Sequence, residues 1–463
     1  MSIKNEQNKG NNYIFLVLLL ILFISGSIVH SQCETVIDIS LWGAARVAAG
    51  HLDGDSLIDI VASGVRADRI AGYSAPLWSQ FIIGQNLDSV GYLIIADMDS
   101  DDDNDVVASV LGDDAVYWFE NPAWTKHVIT NNLDGASGIA VIDIDGDDTL
   151  DVVAGGTYSN TIIWYEAPAW IPHTIDSNVG SGGVEALIAT DLDRNGQIDV
   201  VASVWHKPFN LRNGSIVRYE APGWAKQTVD QSIGYCLDLE VGDLDNDDTL
   251  DVAATGFGTD VVVWYDVPGW QRKIIDANLN LADGVAIADM DGDGLQDVVA
   301  GGQQTGNPVR YYHGPDWTST PVDASLSGNN YADLAIADFN GDDALDVVAA
   351  RINLNQVVIF TCVPTAIGDD ISVEVPYSFA LQQNYPNPFN PETTIEFTLP
   401  QPGYTTLKIY TILGREVVTL VADKLQSGVH SYYFDGSELA SGVYYYQLKS
   451  GDLRDVKKMI LLQ

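Results

Sequence analysis

Ala288-Asp289-Met290-Asp291-Gly292-Asp293-Gly294-Leu295-Gln296-Asp297-Val298-Val299 sets four aspartates into one short turn between apolar stretches. Asp289, Asp291 and Asp293 stand at positions one, three and five, Leu295 can offer its carbonyl at seven, and Asp297 closes at nine. A hard dication needs several oxygen ligands converging within one turn, and carboxylates at alternate places of a tight loop supply them, with Gly292 and Gly294 easing the turn. The stretch therefore predicts a Ca2+ loop whose metal contributes to folding. It is not an EF-hand, because the bidentate Glu of position twelve is absent and the flanks read as strands.

The same phrase recurs seven times, beginning at His51, Asp97, Asp143, Asp191, Asp243, Asp289 and Asp338, at spacings of 46, 46, 48, 52, 46 and 49 residues. The full ligand set returns as Asp97, Asp99, Asp101 and Asp105, as Asp143, Asp145, Asp147 and Asp151, and as Asp243, Asp245, Asp247 and Asp251. An amide replaces one carboxylate in Asp191, Asp193, Asn195 and Asp199, and again in Asp338, Asn340, Asp342 and Asp346. The first copy has His51 at position one, leaving Asp53, Asp55 and Asp59, so it is expected to be the weakest of up to seven Ca2+ sites. Solvated Asp-rich turns would explain one such loop. They do not explain seven in register, because carboxylates crowded into a turn repel unless a cation offsets them.

A period in this range with short apolar segments predicts one four-stranded sheet per repeat, the blade of a β-propeller. In the copy at Asp143, Ile139–Ile142 is the inner strand, Val152–Ala154 the second, Ile162–Glu166 the third and His173–Ile175 the fourth. A turn between the last two recurs as Pro76-Leu77-Trp78, Pro122-Ala123-Trp124, Pro168-Ala169-Trp170, Pro222-Gly223-Trp224, Pro268-Gly269-Trp270 and Pro315-Asp316-Trp317. A Trp that keeps the period of the scaffold is expected to pack one blade on the next. The seventh copy stops after Val357–Phe360, and Val36-Ile37-Asp38 matches the fourth-strand endings Thr174-Ile175-Asp176 and Ile274-Ile275-Asp276. Residues 34–40 are therefore expected to complete the seventh blade and close the ring, which removes its open edges. By alignment, Cys33 and Cys362 fall on the two sides of a third-to-fourth strand turn, and a disulfide is expected between them. Cys236 reads as a buried free thiol.

With the phrase Ala288–Val299 quoted above, the chain resembles the FG-GAP/VCBS repeat family over about residues 34–363. The resemblance implies a seven-bladed propeller with Ca2+ in its loops, as in integrin heads. It implies little about a ligand.

The chain has 463 residues and a net charge of −42. No basic face is available for a phosphate backbone, which excludes nucleic acid as a partner. A hydrophobic content of 46% with 11 Trp excludes a disordered acidic chain. Residues 34–376 hold 13 basic and 55 acidic residues, against 7 and 8 in residues 377–463, so the excess belongs to the repeats and a second domain follows. At the start, Lys4 and Lys9 precede the apolar run Tyr13–Ile24 and then small and polar residues. Residues 1–31 read as a secretory signal peptide cut before Gln32, and no later segment is long and apolar enough for a transmembrane helix.

The propeller is expected over 33–363 and a linker over 364–376. Residues 377–463 alternate as short strands between Gly and Pro turns, which predicts a small β-sandwich. The whole is thus expected to be all-β. Asn384-Tyr385-Pro386-Asn387-Pro388-Phe389-Asn390-Pro391, Leu439-Ala440-Ser441-Gly442-Val443-Tyr444 and the ending Lys457-Lys458-Met459 resemble the type IX secretion C-terminal sorting domain. That resemblance implies engagement of the secretion machinery and passage across an outer membrane, followed by release or attachment at the surface.

Strand parity puts the acidic loops and Trp turns on one face of the ring and the remaining loops on the other. On the second face, Trp205, His206, Lys207, Phe209 and Arg212 occupy the longest loop, with Arg66 and Arg69 in the first copy and Arg351 in the seventh. Cations kept together in an acidic protein suggest an anionic ligand such as a uronic or sulfated glycan. Loops are also simply where Lys and Arg go. The expected role is a surface or secreted binding module for glycan or protein. A polysaccharide lyase or sugar dehydratase, with His206 and Tyr73 or Lys207 as base and acid, and a structural envelope protein are the alternatives. No nucleophile–base set is spelled out.

Overall fold

The computed structural model describes residues 34–208, 210–303, 309–322, 331–361, 380–384, 386–399, 403–412, 414–425, 428–437, 439–451 and 453–462. The leader at 1–31, the Cys33–Cys362 pair, the linker at 364–376 and Phe209 lie outside them. The chain parts between residues 367 and 368 into two compact units, and among the described residues there is no helix.

The first unit is a seven-bladed β-propeller, each blade one antiparallel four-stranded sheet. Second strands such as Asp105–Val110 and Asp151–Gly156 are buried along their whole length, which is why they read as unbroken Val and Ala runs. Fourth strands such as Ile171–Asp176 form the outer rim and are exposed at half of their places. The faces of adjacent blades make the core: Val107 and Trp118 of blade two meet Ile139, Val152 and Tyr165 of blade three. The turn Trp residues sit in these seams, Trp78 against Phe339 of blade seven at 6.1 Å and Trp124 against Phe81 of blade one at 5.7 Å. All six hold a left-handed backbone, φ 51–58°, which a bulky side chain adopts only where packing compels it.

The ring closes as expected. Glu34–Asp38 pairs antiparallel with Gln356–Phe360 and supplies the fourth strand of blade seven. Asp38 then does what the matching aspartates do elsewhere: it accepts the hydroxyl of Tyr73 in the next blade, as Asp176 accepts Tyr219 (2.7 Å), Asp230 accepts Tyr265 (2.7 Å) and Asp276 accepts Tyr312 (2.8 Å). Arg351, 3% exposed, donates from both terminal nitrogens to Glu34 at 2.5 and 2.8 Å and to the Tyr331 hydroxyl at 2.7 Å. Replacing Glu34 by Gln would leave that guanidinium short of its counter-ion in a buried seam. The expected loss is about 2–3 kcal/mol, read by urea unfolding, and an unchanged midpoint would mean that Arg351 is compensated elsewhere.

In every blade the register of the innermost strand slips near its start, for example between Val184 and Leu187 and between Cys236 and Leu239. A bulge re-aims the side chains within it. Here Tyr92, Asp238 and Asp333, beside or within the slips, line the cavity at the axis.

The second unit packs the sheets Ala380–Leu381/Glu392–Leu399/Gly428–Asp435 and Glu416–Leu425/Gly403–Thr411/Gly442–Ser450/Leu453–Leu461 around Phe397, Leu407, Ile409, Tyr446, Leu448 and Met459. The Asn-Pro segment is pinned to its last strand: Asn387 accepts from the Ile460 amide at 2.9 Å, and the Phe389 amide donates to the Ile460 carbonyl. Among the described residues no helix is long and apolar enough to cross a membrane.

Candidate functional site

Each acidic loop is a scaffold of backbone amides aimed at carboxylates. The aspartate at position one accepts from amides across the turn, Asp143 from Gly146 and Asp147 at 2.8 and 3.1 Å, and the aspartate at five accepts from position seven, as Asp293 does from Leu295 at 2.8 Å. The aspartate at nine anchors the loop from inside. In six blades it accepts from the amide that opens the Trp turn: Asp59 from Ala75, Asp105 from Asn121, Asp151 from Ala167, Asp199 from Ala221, Asp251 from Val267 and Asp297 from Gly314.

These contacts converge the oxygens. One ligand atom from each of Asp97, Asp99 and Asp101 lies within 4.8 Å of the others, and so do those of Asp143, Asp145 and Asp151 and of Asp243, Asp245 and Asp251. Among the described residues of these loops, the buried oxygens Asp289 Oδ1 and Asp346 Oδ1 have no hydrogen-bond partner. Burial, and then the charges of Asp342 and Asp338, push Asp346 up to about 7. A carboxylate so placed is short of positive charge, and the donor set fits a dication held by oxygens. In the first blade the His51 imidazole lies 2.8 Å from the position-seven carbonyl of Leu57, so that blade differs from the rest by more than one missing carboxylate.

A contributor not recognised in the sequence is the last residue of the third strand in blades five and six. Asp266 groups with Asp245 and Asp247 within the same 4.8 Å, and His313 Nδ1 lies 3.3 Å from Asp291. The signal was available as a periodic polar residue directly before each Trp turn, but only the fold shows that it reaches the loop.

On the other face the predicted residues do not gather. Blade four, with Trp205, His206, Lys207 and Arg212, lies three blades from both blade one and blade seven around the ring. Its long hairpin is tied to itself, with His206 Nε2 3.0 Å from Ser215 Oγ and Asn213 donating to the carbonyls of His206 and Pro208. Burial holds His206 below the usual imidazole range. Arg351 is corrected from a face residue to a buried closure residue, and Tyr73 is corrected likewise, being fully buried and bonded to Asp38. Arg66 stays exposed, its amide bonded to the carbonyl of Trp42, which is 57% exposed, and Arg69 donates to Ser40 Oγ at 3.3 Å. Trp42 was not a sequence candidate. It joins these arginines because the segment between the closing strand and the first blade is bonded to them, through the Trp42 carbonyl and Ser40. Cys236 is a buried free thiol among the described residues.

The axis holds a cavity of about 380 Å³, lined by inner-strand residues including Tyr92, Asp238, Glu240 and Asp333. Arg46 contacts two of the lining residues, its guanidinium 3.9 Å from the Tyr92 ring and Nη1 3.8 Å from Asp333. Asp238 and Asp333 also stitch neighbouring blades, accepting from the Val285 and Val47 amides at 2.9 Å each. Burial, and then the charges of Asp333 and Glu185, push Asp283 up to about 8, while burial and Asp333 push Glu240 to about 7.

A family model described as an FG-GAP-like repeat matches residues 289–349, and one described as a secretion system C-terminal sorting domain matches residues 383–462. No curated protein matches the chain. Among solved structures it is similar to PorZ of Porphyromonas gingivalis, described as an essential bacterial surface component of the type IX secretion system, at 12% identity and TM-score 0.45, covering 91% of this chain and 59% of that one. It is also similar to a chain of a nidogen/laminin complex (11%, TM-score 0.41, 55% and 89% covered). A third likeness is to an auxiliary nutrient binding protein from Bacteroides thetaiotaomicron (8%, TM-score 0.43, 69% of each). The chain spans about three-fifths of the PorZ chain it matches.

Proposed function

We propose, from the premise that this chain carries an FG-GAP-like repeat and a type IX secretion sorting domain, that it is a calcium-stabilised propeller exported to the surface or the medium as a binding module. The convergence of carboxylates in the loops of blades two, three and five carries the calcium part of this reading, with the partnerless buried oxygens of Asp289 and Asp346 in two other loops beside it. Calcium, when bound, offsets the mutual repulsion of these carboxylates. The chain's own residues do the rest: positions one and five hold the turn, and the buried aspartate at nine fixes it to the blade. Residues 1–31 act as the leader, and its removal before Gln32 puts the closing strand at the head of the mature chain.

The ligand is read on the face away from the loops, at the seam of blades seven and one. There the backbones of Trp42 and Arg66, both exposed, are hydrogen-bonded, and Arg69 donates to Ser40 two residues before Trp42; an aromatic surface and cations on one short stretch suit an anionic glycan. The blade-four hairpin with Lys207 and Arg212 is a separate patch.

The test is the full chain in millimolar Ca2+, assayed for bound calcium by elemental analysis and then screened against uronic and sulfated glycans. Several Ca2+ per chain and saturable binding that falls at least tenfold in Trp42→Ala and Arg66→Ala, but not in Lys207→Ala, are expected. A chain that binds calcium but no glycan would leave a protein ligand or a structural role, and a chain without calcium would sink the loop reading.

A further inference from the structure

The seven loops differ in the residue that ends the neighbouring third strand: Ser74, Glu120, Glu166, Glu220, Asp266, His313 and Phe360 in chain order. Blade six alone puts a nitrogen donor there. His313 Nδ1 lies 3.3 Å from Asp291 Oδ2, and ligand atoms of His313, Asp291 and Asp297 all fall within 4.8 Å of one another.

Two further observations set this loop apart. The Asp291 side chain is only 6% exposed, where its counterpart Asp245 in blade five is 31% exposed. Asp289 Oδ1, in the same loop, is buried with no partner. The imidazole is also held in place: its ring lies 4.0 Å from that of Tyr311, whose hydroxyl donates to Asp297 at 2.9 Å, and Nε2 faces Thr320 Oγ1 at 3.5 Å. A partner on the far nitrogen is how metal-binding imidazoles are oriented.

Calcium takes oxygen ligands, whereas imidazole with carboxylates suits borderline first-row metals, and three protein donors with a water in the fourth place match a tetrahedral preference. We propose that the blade-six loop is a site for a zinc-class dication, held by His313, Asp291 and Asp297, while the oxygen-only loops take calcium. The proposal rests on reading the acidic loops as metal sites.

The full chain, stripped by chelator, is dialysed against excess Ca2+ with micromolar Co2+ as a spectroscopic probe, then analysed for both metals and for visible absorption. One equivalent of Co2+ with a tetrahedral ligand-field band is expected, lost in His313→Glu while the calcium content is kept. Thr320→Val, which removes only the orienting hydroxyl, is expected to weaken Co2+ binding roughly tenfold. Calcium binding without Co2+, or Co2+ retained unchanged by His313→Glu, overturns this proposal alone. Retention of neither metal overturns it together with the calcium reading.

Discussion

Chelation of calcium is expected to lower the unfolding midpoint of the propeller further than any single substitution. A ligand that binds only the folded state adds about 2.7 kcal/mol for each site at a hundredfold excess over its Kd. Three such loops already reach the 5–15 kcal/mol that typifies a whole domain. The structure gives the reason: each loop closes on carboxylates whose charges oppose one another, and the innermost, such as Asp346, are almost fully buried. Without a dication the loops must take up protons or open, and they connect the first and second strands of every blade. Thermal unfolding followed by circular dichroism, in millimolar Ca2+ and in chelator, makes the comparison. Coincident curves would show that the loops are held by their amide contacts alone.

Arg46→Met should be the most damaging single change in the propeller, about 3–5 kcal/mol at pH 8, because it removes the cation that faces Asp333, Asp238 and Asp283 at the axis. Methionine keeps the length of the side chain, so loss of volume is a minor part of the effect. The cost should shrink toward pH 5.5, where the stranded carboxylates can protonate. The unmodified chain carries the same signature. Asp283 and Glu240 are raised to about 8 and about 7, against ordinary values near 4 in the unfolded chain, so the folded state keeps protons that the unfolded state releases. Their contribution is full below about pH 4 and is lost as pH rises through 7 and 8. In saturating Ca2+, stability should therefore fall from pH 5.5 to 8 by about 1.4 kcal/mol per pH unit for each proton retained. An Arg46→Met chain as stable as the parent at pH 8 would show that water already screens these acids.

Much of the architecture was legible because it is periodic. A carboxylate phrase returning every 46–52 residues fixes the blade, and the mismatch between a truncated seventh copy and the orphan Val36-Ile37-Asp38 fixes the closure. The sorting domain was legible from the order of its turn motifs. The site was legible only in part. Asp266 and His313 stand 15 and 16 residues after the last aspartate of their acidic phrases, and nothing local announces that the sheet returns them to it. Arg351 looked like a free cation because a sequence does not show that the other end of the chain, at Glu34, comes back to cover it.

By itself, then, the sequence determined what repeats: strand number, loop chemistry, ring closure and the second domain, since each follows from local alternation and spacing. Tertiary structure decided what depends on proximity around the ring. It separated the blade-four hairpin from the Arg66 seam by three blades, brought Trp42 beside Arg66, and lined the axial cavity with acids beside or within a bulge that no residue pattern marks. The physical reason is that a period specifies each blade against its neighbours, whereas charge pairing across an axis depends on where seven blades place their exceptions.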